Sequence, residues 1–406
     1  MTVHSRKDAE ALDAADPLAP LREHFDLPEG VIYLDGNSLG PPPRSALKRL
    51  HETAHNHWGK DLIKSWNTAG WIDLPKTCGA KIATLVGADP NDVIVCDSVS
   101  VNIFKLASAL LKLHPGALAY EQDEFPTDGY ILQGLANLTN SPLIKLNHQG
   151  GPVEAFAGGA SVLIKSAVHY KTAAIADIAA WEAEAGKAGA VIIWDLSHAA
   201  GVINLDLEAA GARFAVGCGY KYLNGGPGAP AFVYAQRKAA EKLNQPLSGW
   251  MGHAHAFDFA GDYAPGEGVK RFACGTPPIL SMSVLDAALD VFADIDMSAV
   301  EAKAKALGDI FLLRAQKLSL ESVSPGIGES RGGHVSLKFK DGYAVVQALI
   351  ARGVIGDFRT PDLMRFGFAP LYLGYSDVWD AADAFEQVMT SESWNAPEFI
   401  TRKAVI

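Results

Sequence analysis

Ala190-Val191-Ile192-Ile193-Trp194-Asp195-Leu196-Ser197-His198 and, further on, Phe214-Ala215-Val216-Gly217-Cys218-Gly219-Tyr220-Lys221-Tyr222-Leu223 decide how this chain folds. Each begins with an uninterrupted apolar run of strand length. The first run ends in an acid, Asp195, and a lysine, Lys221, lies just past the second. Continuous rather than alternating apolar strands are buried on both faces, as in a parallel sheet covered by helices. Residues 92–96, 116–120, 161–165, 212–217 and 230–234 read the same way, with helical patterns near 101–113, 128–138 and 177–187 between them. In such a sheet ligands bind beyond the carboxyl ends of the strands. Asp195, Lys221 and Ser166 all fall there.

From about Val300 the texture changes. A long amphipathic helix (301–320) is followed by a strand (334–339), a helix (343–352), strands at 354–359 and 363–368, and a closing helix (378–389). This predicts a smaller α+β unit over 300–406, a large domain over 44–299 and an N-terminal arm over 1–43. The arm reads as loop-like and stops at Gly40-Pro41-Pro42-Pro43.

Composition removes several classes. At 406 residues, 49% apolar and 20% charged, the chain suits a soluble globular protein. A net charge of −11 argues against nucleic acid and anionic membrane as partners. Cys78, Cys96, Cys218 and Cys274 form no Cys-x-x-Cys pair and read as reduced thiols of a cytoplasmic protein. No run approaches the length of a membrane span, and the start lacks a signal region. There is no Walker loop or His-Glu-x-x-His, and His253 and His255 lack partners for a metal set.

An acid and an amine at neighbouring strand ends match the needs of pyridoxal phosphate: a carboxylate for the pyridine nitrogen and an amine for the aldehyde. Lys221, among Tyr220, Tyr222 and Leu223, is either that amine, its charge disfavoured by aromatic company, or a lysine that snorkels to water. Asp195 either meets a protonated ring nitrogen or caps the next segment. His198 either orients Asp195 and the ring or is structural. Asp97-Ser-Val-Ser-Val-Asn102 opens a helix after a strand, so its free amides and the Ser100 hydroxyl form either an anion seat or an ordinary N-cap. Phe125 in Phe125-Pro-Thr-Asp128 suits stacking on a flat ring or a place in the core. Trp250 and Thr276 lie in glycine-rich loops that suit an interface or site rim. Arg365, in an apolar strand, needs an anion: a substrate α-carboxylate or an acid of its own unit.

Together these segments resemble the kynureninases, fold-type-I pyridoxal-phosphate enzymes of the aspartate-aminotransferase superfamily. The resemblance runs through Tyr33-Leu-Asp-Gly-Asn-Ser-Leu-Gly40, Ser65-Trp-Asn67, Ser100 with Asn102, and Phe125-Pro-Thr-Asp128. It continues through Trp194-Asp-Leu-Ser-His198, Tyr220-Lys-Tyr-Leu-Asn-Gly-Gly226, Gly249-Trp-Met-Gly-His253 and Arg365-Phe-Gly-Phe-Ala-Pro-Leu-Tyr372. It implies an α/β fold: a mainly parallel seven-stranded sheet with helices on both faces, plus the smaller C-terminal domain.

It also implies roles for individual residues. Lys221 bonds to the cofactor aldehyde, Asp195 pairs with the ring nitrogen and His198 contacts the cofactor. Phe125 stacks on the ring with Asp128 beside it, while the Val99 and Ser100 amides, Ser166 and Tyr220 hold the cofactor. Trp250 and Thr276 reach the phosphate of the neighbouring subunit, which makes a homodimer with shared sites. Arg365 binds the substrate carboxylate, Trp66 and Asn37 line the substrate pocket, and Tyr220 relays a proton. The implied reaction is hydrolysis of L-kynurenine, or 3-hydroxykynurenine, to an anthranilate and L-alanine in tryptophan catabolism.

Two positions depart from the family pattern. Val99 stands where threonine is expected, and Gly275-Thr276 where some relatives carry serine-asparagine, which bears on a ring-hydroxylated substrate. The rivals are a cysteine desulfurase, which needs an exposed reactive cysteine, an aminotransferase, and a non-catalytic cofactor-binding module.

Overall fold

The computed structural model describes residues 3–147 and 150–402. Its strands, in chain order, are β1 (Ile32–Tyr33), β2 (Val93–Val95), β3 (Ala117–Glu121), β4 (Leu143–Leu146), β5 (Ala160–Ser166), β6 (Val191–Asp195) and β7 (Phe214–Gly217), then β8 (Phe232–Ala235), β9 (Glu321–Ser322), β10 (His334–Lys338), β11 (Val354–Ile355), β12 (Asp357–Arg359) and β13 (Leu363–Gly367). The central sheet has seven strands in the order β2-β8-β7-β6-β5-β3-β4. All run in one direction except β8, which is antiparallel to both β2 and β7. Its inner strands β3, β6, β7 and β8 are wholly buried, as continuous apolar runs require.

The parallel register aligns Ser166 with Asp195, so their side chains emerge together at one edge of the sheet. The β2–helix turn and the Lys221 turn open at the same edge. The sequence reading had no strand at 143–146. This edge strand is only partly buried and carries exposed Lys145, so it lacks the continuous apolar signature.

The C-terminal unit is a four-stranded antiparallel sheet, β12-β13-β10-β9, packed under the helices Met297–Ala315 and Tyr375–Thr390. Phe311 is its hub, with ring centroids 4.6 Å from Phe366 and 5.6 Å from Phe368 and Phe385. The strand expected over 354–359 divides at Gly356. A Cβ there would lie 2.8 Å from the Phe366 ring and 2.9 Å from the Arg365 carbonyl oxygen.

The arm is not simply loop. Arg6–Ala15 is a helix whose Ser5 and Asp8 form a capping box. Ala9 is its one buried residue, so polar bonds rather than apolar burial hold it in place. Asp13 accepts from the amides of Tyr375 (2.6 Å) and Ser376 (3.0 Å), and Arg6 pairs with Asp380 at 2.8 Å. Lys303, almost fully buried, pairs with Asp16 at 2.6 Å.

β1 then runs parallel to β11, and the Gly367 amide donates to the Leu34 carbonyl at 2.7 Å. Farther on, the Gly40 amide donates to the Tyr220 carbonyl at 2.8 Å. A Cβ on Gly40 would come within 2.3 Å of the Lys221 carbonyl oxygen, a close approach that only glycine allows. The arm therefore ties the C-terminal sheet to the Lys221 turn.

Cys78, Cys96 and Cys218 are buried free thiols and Cys274 is half-buried. Among the described residues no helix is long and apolar enough to cross a membrane.

Candidate active site

A cavity of about 230 Å³ opens at the carboxyl edge of the large sheet. Its wall gathers Val99, Ser100, Phe125, Asp128, Ser166, Asp195, His198, Tyr220 and Lys221, residues drawn from five separate segments of the sequence. Ser98, Thr127, Val168, Tyr170, Ser197, Cys218, Ala229 and Ala231 complete it and were not site candidates in the sequence. A larger cavity, about 620 Å³, lies between Lys76, Arg237, Phe257 and Lys270, away from the strand ends. Volume does not decide between the two; the convergence of acid, amine and free amides does.

One end of the smaller cavity is a helix N-terminus. Ser98 caps the helix Val99–Leu113, its hydroxyl accepting from the Val101 amide and its carbonyl from the Asn102 amide. The amides of Val99 and Ser100 are left as the orphan donors of the first turn, which is an anion seat. The preceding residue, Asp97, holds a left-handed conformation (φ 48°). Its carboxylate pairs with Lys105, which is fully buried and also donates to the Phe272 carbonyl, so the turn is fixed before any anion arrives.

The other end is acidic. Asp195 accepts from the Ser197 amide at 2.8 Å, so it caps the following turn while also lining the cavity. Asp128, in the first turn of the helix Pro126–Thr139, is 2% exposed, and its Oδ2 has no hydrogen-bond partner. Burial, then the charges of Asp195 and Glu124, hold its carboxyl well above the usual range despite Lys221. Burial pushes Glu124 up to about 7, against Lys165 and with Glu121.

A raised carboxyl binds its proton more tightly in the folded state. Its stability contribution is complete below about pH 4.5 and is lost as pH rises through about 7. Glu124→Gln should therefore raise the cofactor-free protein's melting temperature at pH 8 and leave it nearly unchanged at pH 5. Thermal melts at the two pH values check this.

Between the two ends sit the amine and the rings. Lys221 Nζ lies 2.9 Å from His198 Nε2 and 5.8 Å from the centre of the Phe125 ring. Burial, followed by the charge of Lys221, pushes His198 well below its usual range, so it is a neutral imidazole. Phe125 is 44% exposed and meets Tyr170 edge-on at 5.5 Å, which leaves its face open for stacking. Burial raises the Tyr220 hydroxyl, assisted by Cys218 and Asp195, so it remains a proton donor.

Other expected residues lie outside this wall. Arg365 is 2% exposed and its guanidinium is engaged. Nε donates to Asp357 at 2.8 Å, Nη2 donates both to Asp357 and to the Ser38 hydroxyl (3.1 Å), and Nη1 donates to the Tyr170 carbonyl (2.7 Å). Arg359, absent from the sequence-level candidates, shares Asp357 at 2.8 Å and is 38% exposed. Its sign was there: a second arginine six residues before Arg365, on the adjacent strand. Asn37 is fully buried against Gly367, and half-buried Trp66 packs edge-on against Trp71. Trp250 packs on Phe257 at 5.7 Å and Phe259 at 6.4 Å, and Thr276 is exposed. Neither touches the cavity of its own chain.

Pyridoxal phosphate fits these residues. The unclaimed amides suit its phosphate and the open face of Phe125 suits its ring. The surplus of buried carboxylate around Asp128 calls for a cation such as the protonated ring nitrogen.

Comparison with known proteins agrees. Residues 300–385 match the family model of the kynureninase C-terminal domain. The chain is 45% identical over 413 residues to a kynureninase of Burkholderia mallei, covering 99% of each chain. It is 44% identical over 414 residues, with the same coverage, to that of Pseudomonas fluorescens. Among solved structures, a C-DES variant with glycine covalently linked to its pyridoxal-phosphate cofactor superposes with TM-score 0.79 at 17% identity, over 90% of this chain and 99% of that one. The cysteine desulfurase CsdA of Escherichia coli gives 0.77 at 19% identity, over 92% and 98%. These structures share the fold. Identity near 45% along the whole length, with the acid, amine and anion seat in one cavity, places the chain in the kynureninase family of pyridoxal-phosphate-dependent hydrolases.

Proposed function

We propose that this protein hydrolyses L-kynurenine to anthranilate and L-alanine, consuming one water at the bond between the β-carbon and the ketone carbon. The observation that carries the reading is the single cavity holding Lys221, Asp195 and the free amides of Val99 and Ser100. When bound, the cofactor supplies an electron sink for the charge that develops next to the substrate nitrogen.

The chain's residues do the rest. The helix start holds the phosphate, with Ser166 and Tyr220 adding hydroxyls. Phe125 stacks on the ring, and Asp195, steadied by the Ser197 amide, keeps the ring nitrogen protonated. Asp128 lies beside it. Lys221, once free, takes and returns a proton at Nζ, with His198 Nε2 as the acceptor that orients it. Tyr220, protonated and half-buried, donates a proton near the ketone oxygen. Arg365, with Arg359 beside it, grips the α-carboxylate, while Asn37 and Trp66 shape the pocket.

Trp250 and Thr276, outside their own chain's cavity, serve the phosphate of a second copy in a homodimer. The role in tryptophan breakdown and the cytoplasmic setting follow from the same reading, as does the division into arm (1–43), large domain (44–299) and small domain (300–406). The test is to incubate the cofactor-loaded protein with L-kynurenine and measure products. Equimolar anthranilate and alanine support the proposal; a keto acid, with the cofactor left in its amine form, makes it an aminotransferase instead.

A further inference from the structure

Beside the Lys221–His198 contact lies a buried histidine that the proposed chemistry does not use. His334, the first residue of β10, is fully buried, and neither ring nitrogen has a hydrogen-bond partner. Its ring centre is 5.5 Å from that of His198, at 53°. His198 is itself incomplete. When Nε2 accepts from the Lys221 amine, a neutral imidazole carries its hydrogen on Nδ1, and Nδ1 is buried without a partner.

The sheet places a third orphan at the same spot. His334 is the register partner of Gly367, so their Cβ positions share one face of the sheet. Gly367 has no side chain, and Asn37 fills the space: its Oδ1 lies 2.0 Å from where a Cβ on Gly367 would sit. Asn37 is 0% exposed, and neither its Oδ1 nor its Nδ2 is hydrogen-bonded. Buried polar groups are normally paired, directly or through internal water. Here His334 lies beside the imidazole that touches the lysine, and Asn37 fills the space at its register partner.

We propose that His334, seated by Asn37, is a positioning residue for Lys221. It holds the Nδ1–H of His198, by a small ring rotation or through one internal water, and so keeps Nε2 an acceptor for the lysine amine. Burial, then the charges of Arg365, His169 and Lys221, keeps His334 neutral against the opposing pull of Asp357, so it can accept. The charged and titratable groups facing the pair are Lys221, Arg365, Arg359, Asp357 and His169. This inference rests on Lys221 being the amine that receives the cofactor.

The test uses cofactor-free protein labelled with ¹⁵N-histidine, with His198 assigned from a His198→Asn variant, together with stopped-flow capture of pyridoxal phosphate at neutral pH. His198 in the wild type is expected as the single Nδ1–H tautomer. His334→Phe mixes the tautomers and slows capture about tenfold, and His334→Gln, which still accepts a hydrogen bond, restores most of the rate. A purely structural role would lower the melting temperature of both variants without altering the His198 tautomer. Two results overturn the proposal: a wild-type His198 protonated on Nε2, which decides the matter even where a variant does not fold, or equal capture rates in all three proteins. Wild-type protein that captures no cofactor overturns the assignment of Lys221 itself.

Discussion

Lys221→Ala abolishes turnover of L-kynurenine, by at least about 10³-fold, because it removes both the amine that bonds the cofactor and the base at the substrate α-carbon. No other lysine replaces it. Lys221 is the one lysine on the cavity wall among the described residues. Lys165 is buried against Glu121 and the Trp181 ring (4.3 Å), and Lys105 is held by Asp97. The fold survives, since among the described residues the side chain's hydrogen-bond partner is His198, so the melting temperature of the cofactor-free variant stays close to wild type. The check is steady-state anthranilate fluorescence alongside a thermal melt. Full turnover by a folded Lys221→Ala protein contradicts the assignment.

The second large effect falls on Arg365. Arg365→Met leaves the fully buried Asp357 with Arg359 as its ion-pair partner and the Ser38 hydroxyl as a donor, and breaking a buried pair costs about 3 kcal/mol. The pH dependence has a definite sign. Burial works to raise the Asp357 carboxyl, but the Arg365 hydrogen bonds and the charges of Arg365 and Arg359 prevail and lower it. A lowered carboxyl contributes stability above its unfolded value, roughly pH 3.9, and loses it as pH falls through the folded value. The deficit of Arg365→Met is therefore full at neutral pH and shrinks below about pH 3.9, as urea unfolding at pH 7 and about pH 3 measures.

The proposed grip on the substrate carboxylate adds a kinetic signature. KM for L-kynurenine rises at least about tenfold in Arg365→Met, the scale of a lost hydrogen bond to a charged group. Arg359→Met, with its more exposed side chain, raises KM at little cost in stability. An unchanged KM in both variants would leave Arg365 a purely structural partner of Asp357.

Sequence made the sheet core and the cavity legible because both are written in local runs. A strand such as β6 is apolar from end to end and then stops at an acid, which marks its burial and its open edge at once. The N-terminus of the helix Val99–Leu113 was visible for the same reason: a serine cap directly after a strand. β4 was not, because an edge strand with one covered face mixes Lys145 among its apolar residues. The helix Arg6–Ala15 was not, because an ion pair and hydrogen bonds to residues more than 350 positions away hold it, and no local pattern records them. Arg365 was legible as an arginine needing an anion, but Asp357, eight residues earlier, became its partner only through the β12–β13 register. His334 gave no signal of its own, since its meaning comes from the missing side chain of Gly367 and from His198 across the domain boundary.

The most direct measurement is borohydride reduction of the cofactor-loaded protein followed by peptide mass mapping. The phosphopyridoxyl group should appear on a single peptide spanning Gly219 to Leu223, with the label on Lys221. Label on Lys165, Lys105 or a surface lysine, or no stable label at all, would contradict the reading of Asp195 and Lys221 as the acid and amine of a pyridoxal-phosphate site.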